Sequence, residues 1–267
     1  MAMTLAAPEA EKPVVPAVNS AVASVMRILQ SRGVDPAAAQ RFEDRPDSTD
    51  TYQLQVNRRA WLNSLTLSGH ADYKRYSLDR LEEEQHPERL RKFVDSLVIV
   101  RRHNRAQMRL PEHQRQFKRA PRLNAIMSGN IGAGKTVAAA AAGAYGVEEG
   151  LMVRFVGHSR YLSWLRPNSA PSGLTPLQVR EYYERCDLLI FDDLCNELDE
   201  YATTFVRTET AELLNARLHS GRATLFTTNL SFNQVAEVLG ERFASRMGSK
   251  AAHFEMVGED RRQPIRW

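Results

Sequence analysis

Apolar residues in the second half of the chain gather into short runs that end in glycine or polar residues. Leu123 to Met127 leads into a glycine-rich stretch, and Leu188-Leu189-Ile190-Phe191 leads into Asp192-Asp193. Ala223 to Phe226 ends in Thr227-Thr228-Asn229, and Gly150 to Val156 supplies a fourth run. Continuous apolar runs of this length are the pattern of strands buried on both faces of a parallel sheet. Helical patterns separate them. Thr136 to Ala144 is almost all alanine, and Phe205 to Leu218 reads as a long helix. Another helix starts at His86-Pro87 and places Leu90, Phe93, Val94, Leu97 and Val98 on one face, a core spacing. Strand and helix alternate, so the predicted fold class is α/β with a central parallel sheet.

The first part of the chain reads differently. Residues 1–19 are rich in Ala, Pro, Glu and Val without helical spacing and are expected to be disordered. Ser20 to Gln30 predicts a short amphipathic helix with Gly33 beyond it as a cap. Asp35-Pro36 predicts the start of a second helix. This region is too small to hold its own core, which suggests either a module that folds against a partner or a loose tail. No internal repeat is visible.

Candidate chemistry begins at Gly129-Asn130-Ile131-Gly132-Ala133-Gly134-Lys135-Thr136, a complete G-x-x-x-x-G-K-[ST] loop set between a strand and a helix. Its glycines let successive N–H groups turn inward onto phosphate oxygens, and the helix N-terminus adds partial positive charge. Lys135 would reach the β- and γ-phosphates of a nucleoside triphosphate, and Thr136 would offer its hydroxyl to Mg²⁺. The apolar strand at Leu188 then delivers Asp192 as the Mg²⁺-holding acid at the carboxyl edge of the sheet, where α/β proteins bind ligands. Asp193 is placed to orient the attacking water, or else serves as a turn or cap residue. Asn229 closes the third strand with Thr228 beside it, as a residue that positions that water or as an ordinary loop residue.

Thr227-Thr228-Asn229-Leu230-Ser231-Phe232, followed by Gly240-Glu241-Arg242-Phe243-Ala244-Ser245-Arg246-Met247, resembles the C-terminal half of DnaC/DnaI-type helicase loaders and their IstB-type transposition relatives, ATPases of the AAA+ superfamily. The similarity begins near Arg58-Arg59-Ala60-Trp61-Leu62-Asn63-Ser64 and continues through Tyr73-Lys74-Arg75-Tyr76-Ser77-Leu78, about three quarters of the chain. It implies a helical partner-binding region at 20–64 and an AAA+ ATPase domain at 65–267. By the same resemblance, Arg246 is an arginine finger acting on a neighbouring subunit, with Arg242 one turn earlier on the same side. Arg261 falls where the family carries a second arginine that contacts the γ-phosphate within the same subunit. The implied function is ATP-dependent loading of a replicative hexameric helicase onto single-stranded DNA, with self-association through the ATPase domain. An IstB-type regulator of target selection by a transposase is the alternative, and a small-molecule kinase using the same loop is a third reading. One position departs from the family: Cys195 stands where glycine is common after Asp-Asp-Leu, which bears on how Asp193 is aimed.

Composition narrows the class without choosing the client. With 43% apolar and 25% charged residues, the chain reads as an ordinary soluble protein. It shows neither a membrane-length apolar stretch nor the layout of a secretory signal, so a cytoplasmic location is expected. Cys186 and Cys195 flank one strand and read as reduced core thiols, and two cysteines exclude a cysteine-rich zinc module. Residues 1–122 carry 21 Lys+Arg against 15 Asp+Glu, while 123–267 carry 15 against 17. The excess sits in Arg101, Arg102, Arg105, Arg109, Arg115, Lys118, Arg119 and Arg122, faced only by Glu112. This stretch is a nucleic-acid backbone contact or a solvated face. Arg160, Tyr161 and Trp164 would suit single-stranded DNA, or the two aromatics belong to the core. Arg207 and Arg217 are weaker intersubunit candidates.

Overall fold

The computed structural model describes residues 46–195 and 202–256. The chain divides into two compact units, 1–52 and 53–267, and the sheet belongs to the second. The helices expected at 20–30 and from 36, like the tail 1–19, lie outside the described residues. The second unit begins at Gln53, inside the helix that supplies Trp61 and Leu65 to its core.

Five parallel strands form the sheet in the order β2-β3-β4-β1-β5: β1 Asn124–Gly129, β2 Val153–Gly157, β3 Leu188–Asp192, β4 Ala223–Thr227 and β5 Ala252–Met256. Helices α1 (Pro46–Leu67) and α2 (Pro87–Gln107) precede the sheet, and α3 (Lys135–Glu148) follows β1. Next come α4 (His158–Trp164) and α5 (Pro176–Glu184), then α6 (Thr204–His219) between β3 and β4. The last two helices, α7 (Phe232–Leu239) and α8 (Glu241–Gly248), lie between β4 and β5. The strands at 123, 150, 188 and 223 appear where the apolar runs placed them. β5 does not read as one in the sequence, because Ala252-His253-Phe254-Glu255-Met256 alternates buried and exposed positions as an edge strand does.

Successive strand residues sort into two cores on opposite faces of the sheet. Ala125, Met127, Ile190 and Leu225 join one, under α1, α2 and α3; Ile126, Leu189, Phe191 and Phe226 join the other, under α4 to α8. The alanine run of α3 explains itself in the first core. Ala138 to Ala142 are fully buried, and side chains this small let α3 lie close against the sheet. Trp61 of α1 packs over α3 at Gly143, where a β-carbon would come 2.5 Å from the indole, and it meets Phe155 edge-on at 6.2 Å.

Side chains satisfy both open edges of the sheet. Along β2, Ser64 Oγ accepts from Phe155 N at 3.0 Å and Ser68 Oγ donates to Phe155 O at 3.2 Å, two serines one helical turn apart. Along β5, Arg89 donates to His253 O at 2.6 Å and the His86 ring lies 2.8 Å from Glu255 O. Edges closed this way offer few free backbone groups to another strand.

Arg217 of α6 has no exposed surface. Its guanidinium donates to Thr224 Oγ1 at 3.0 Å and to the carbonyls of Tyr183, Glu184, Cys186 and Ala223, tying α5, α6 and β4 together. An intersubunit role for Arg217 is therefore excluded by burial. Tyr161 and Trp164 are likewise core residues, at 1% and 7% exposure, and not available to DNA.

Candidate nucleotide-binding site

The loop between β1 and α3 curls as the motif requires. Gly132 and Gly134 have φ of +81° and +85°, and Gly134 caps α3. Lys135 is buried and its ammonium folds back onto the loop, donating to Gly129 O at 2.9 Å and Asn130 O at 2.6 Å. Ala133 is buried beneath the loop and Ile131 is exposed. Gly129 has a reason of its own to be glycine. Its φ is +139°, and a β-carbon there would sit 2.1 Å from Met256 O of β5.

Asp192 ends β3 at 3% exposure, and Thr227 Oγ1 donates to its Oδ1 at 2.6 Å. Burial pushes this carboxyl from 3.8 up to about 6, and the neighbouring Asp193 charge pushes the same way. Hydrogen bonds from Thr227 and Thr136, and the Lys135 charge, oppose the shift without cancelling it. A desolvated carboxylate beside a hydroxyl, at the edge where phosphates would enter, suits a cation that keeps most of its other ligands as phosphate and water. Among the described residues there is no group of three or more His, Cys, Asp or Glu that could hold a metal. A Mg²⁺ held by Thr136, Asp192 and nucleotide phosphates needs none.

The backbone after Asp192 turns sharply. Asp193 and Cys195 both occupy the left-handed region, with φ of +56° and +67°. A sequence of bonds holds the turn. Thr227 Oγ1 accepts from Asp193 N at 2.8 Å, Thr227 O accepts from Leu194 N at 2.8 Å, and Thr228 Oγ1 donates to Leu194 O at 3.0 Å. Thr227 is the site residue that sequence reasoning passed over. Its place directly before Thr228-Asn229, paired with the β3 terminus, was the available signal.

Asp192, Asp193 and Asn229 line one cleft of about 760 Å³ with Lys135 and Thr136. The opposite wall comes from residues 68–85, which carry His70, Tyr73 and Tyr76. His70 stacks on Tyr73 with centroids 4.9 Å apart, and its Nε2 lies 3.8 Å from Asp192 Oδ2. Burial and the Arg160 charge lower the His70 pKa, outweighing the pull of Asp193, so the contact is polar rather than an ion pair. Gln85 donates to Gly134 O at 3.4 Å. These residues sit on short 3₁₀ turns whose spacing carries no motif, so no periodicity could have found them.

Arg246 is not in this cleft. It lies on α8, half buried, donating to Asn215 Oδ1 of α6. Its carbonyl accepts from Asn124 Nδ2 at 3.0 Å, at the start of β1 and so at the far end of that strand from the glycine loop. Arg242 is exposed, and Arg207 is exposed and bonded to the Val238 and Glu237 carbonyls. Arg261 lies outside the described residues. Within the basic stretch, Arg101 pairs with Asp187 at 3.3 Å and Arg102 with Glu149 at 2.9 Å, while Arg115 and Arg119 donate to backbone carbonyls. At least half of that run is therefore engaged within the domain. Cys186 and Cys195 are buried free thiols, and burial raises Cys195 to about 12, which makes it unreactive. No helix among the described residues is long and apolar enough to cross a membrane.

Comparison with known structures gives neighbours of the same fold. DnaI aligns with a TM-score of 0.53 at 18% identity, over 72% of this chain and 93% of that one. A DnaC helicase loader aligns with a TM-score of 0.53 at 18% identity, over 70% and 99%. AMPPCP-bound DnaA from Aquifex aeolicus aligns with a TM-score of 0.51 at 16% identity, over 68% of this chain and 50% of that one. No curated protein matches by sequence. Residues 115–254, just over half of the chain, match the family described as IstB-like ATP binding protein. With its glycine loop, its buried Asp192 and the five-strand order, the chain shares the fold of DnaI and the DnaC helicase loader and belongs to the IstB-like ATP-binding family.

Proposed function

We propose that the protein hydrolyses ATP with Mg²⁺ and uses the nucleotide state to load a replicative hexameric helicase onto single-stranded DNA. The observation that carries this reading is the separation of Arg246 from the cleft of its own subunit. A cation at the far end of β1 has no part in its own site, and in this reading it leaves Asn215 for the nucleotide of a neighbour. In this reading the loop from Gly129 to Thr136 holds the phosphates, and Thr136 and Asp192 hold Mg²⁺, which offsets phosphate charge when bound. Asp193 and Asn229 orient the attacking water, and Arg246 from the next subunit stabilises charge at the γ-phosphate. Arg261 would add a contact from the same subunit. Residues 20–64 bind the helicase, and residues 65–267 act as the ATPase domain that self-associates. Support for a replication client comes from the likeness in fold to a DnaC helicase loader and to DnaI.

A mixing experiment tests the shared site. Lys135→Ala has no functional site of its own but can donate Arg246; Arg246→Ala has the reverse defect. Each alone should be inactive, and the mixture should recover hydrolysis. No recovery removes the trans role of Arg246. Delivery of the hexameric helicase onto circular single-stranded DNA then tests the client. Stimulation by duplex DNA together with transposase recruitment would assign the same ATPase to transposition.

A further inference from the structure

The buried imidazole of His158 has no task in the site described above, yet its bonds are fully determined. It is the first residue of α4 and is 1% exposed. Thr210 of α6 donates its hydroxyl hydrogen to Val206 O at 2.7 Å, so that oxygen is an acceptor toward the ring. His158 Nε2 lies 2.8 Å from Thr210 Oγ1 and must therefore carry the ring proton. Nδ1 is left as a bare acceptor, and it receives Cys195 N–H at 3.3 Å. Burial lowers the ring's pKa to about 4, which keeps this neutral tautomer in place at physiological pH. The accepted N–H belongs to a residue with φ of +67°, a conformation that a non-glycine residue rarely adopts unless its surroundings enforce it. Asp193 at one end of this turn is held by Thr227, and Cys195 at the other end is held by His158.

We infer that His158 is a positioning residue: it clamps the strained end of the turn after β3 and thereby sets where the Asp193 carboxylate points. The consequence for turnover rests on the proposed hydrolytic role of Asp193, whereas the clamp itself does not. His158→Leu fills a similar volume and removes the acceptor. It should lower kcat about tenfold while KM and the affinity for a fluorescent ATP analogue stay within about twofold. Cys195→Gly adopts positive φ without strain, so it should make His158 dispensable, and the double variant should recover to within about threefold of the parent. A purely space-filling histidine would not be rescued by a glycine elsewhere. Hydrogen exchange at the Cys195 amide supplies a readout independent of chemistry, and it should quicken about tenfold in His158→Leu. Unchanged exchange, undiminished kcat in His158→Leu, or failure of the glycine to rescue overturns the inference. If the parent itself does not hydrolyse ATP, the proposed function fails, and the exchange experiment still decides the clamp.

Discussion

The carboxylate of Asp192 makes a prediction whose size follows from its surroundings. It is almost fully buried, and its pKa stands at about 6 against 3.8 for the free side chain. In the protein without metal or nucleotide, folding therefore favours the neutral acid. Because the folded value exceeds the unfolded one, Asp192 carries no penalty below about pH 4. It becomes destabilising as pH rises through 6 and levels off above that. The difference of 6 − 3.8, at about 1.4 kcal/mol per unit, corresponds to about 3 kcal/mol. Asp192→Asn keeps the shape and an acceptor for the Thr227 hydroxyl but never ionises. In EDTA, urea unfolding should show Asp192→Asn more stable than the parent by about 3 kcal/mol near neutral pH, with the gap closing below about pH 4. Mg²⁺ and nucleotide should stabilise the parent preferentially, since the cation neutralises a charge the variant lacks. A gap that does not change with pH, or a variant less stable than the parent at neutral pH, would refute the account of Asp192 as a desolvated carboxylate.

Three further substitutions test neighbouring claims. Thr227→Val removes the donor to Asp192 and the acceptor for Asp193 N–H, and should cost about 1–3 kcal/mol in urea titrations while Thr227→Ser stays near the parent. Gly129→Ala drives a β-carbon against Met256 O and should lower stability by more than about 2 kcal/mol; a thermal melt like the parent's would show that β5 yields there. Arg217→Met strips the guanidinium donor from several buried carbonyls and should destabilise by about 3 kcal/mol or more, with Arg217→Lys failing to restore it because an ammonium cannot span the same acceptors.

Local pattern determined a good deal of this protein. The apolar runs at 123, 188 and 223 announce buried strands because a strand covered on both faces has no polar side to show. The glycine loop declares phosphate binding because few residue types permit that backbone path, and Asp192 follows from its place at the end of such a strand. β5 was illegible since an edge strand alternates, and five residues of alternation carry little information. Arg217 shows the other limit: a charge on a helix reads as surface until the fold places backbone carbonyls around it. The wall carrying His70, Tyr73 and Tyr76 joins Asp192 only because residues far apart in sequence fold to one sheet edge. Likewise, residue 195 reads as a simple exchange of glycine for cysteine, and only the fold supplies the histidine that holds its backbone. The sequence alone therefore determined which elements form and which loop binds phosphate, because those depend on neighbours a few residues apart. Strand order, the partners of Arg217 and Arg246, and the bonds that hold the backbone turn at Asp193 depend on contacts between distant segments, and the tertiary structure decided them.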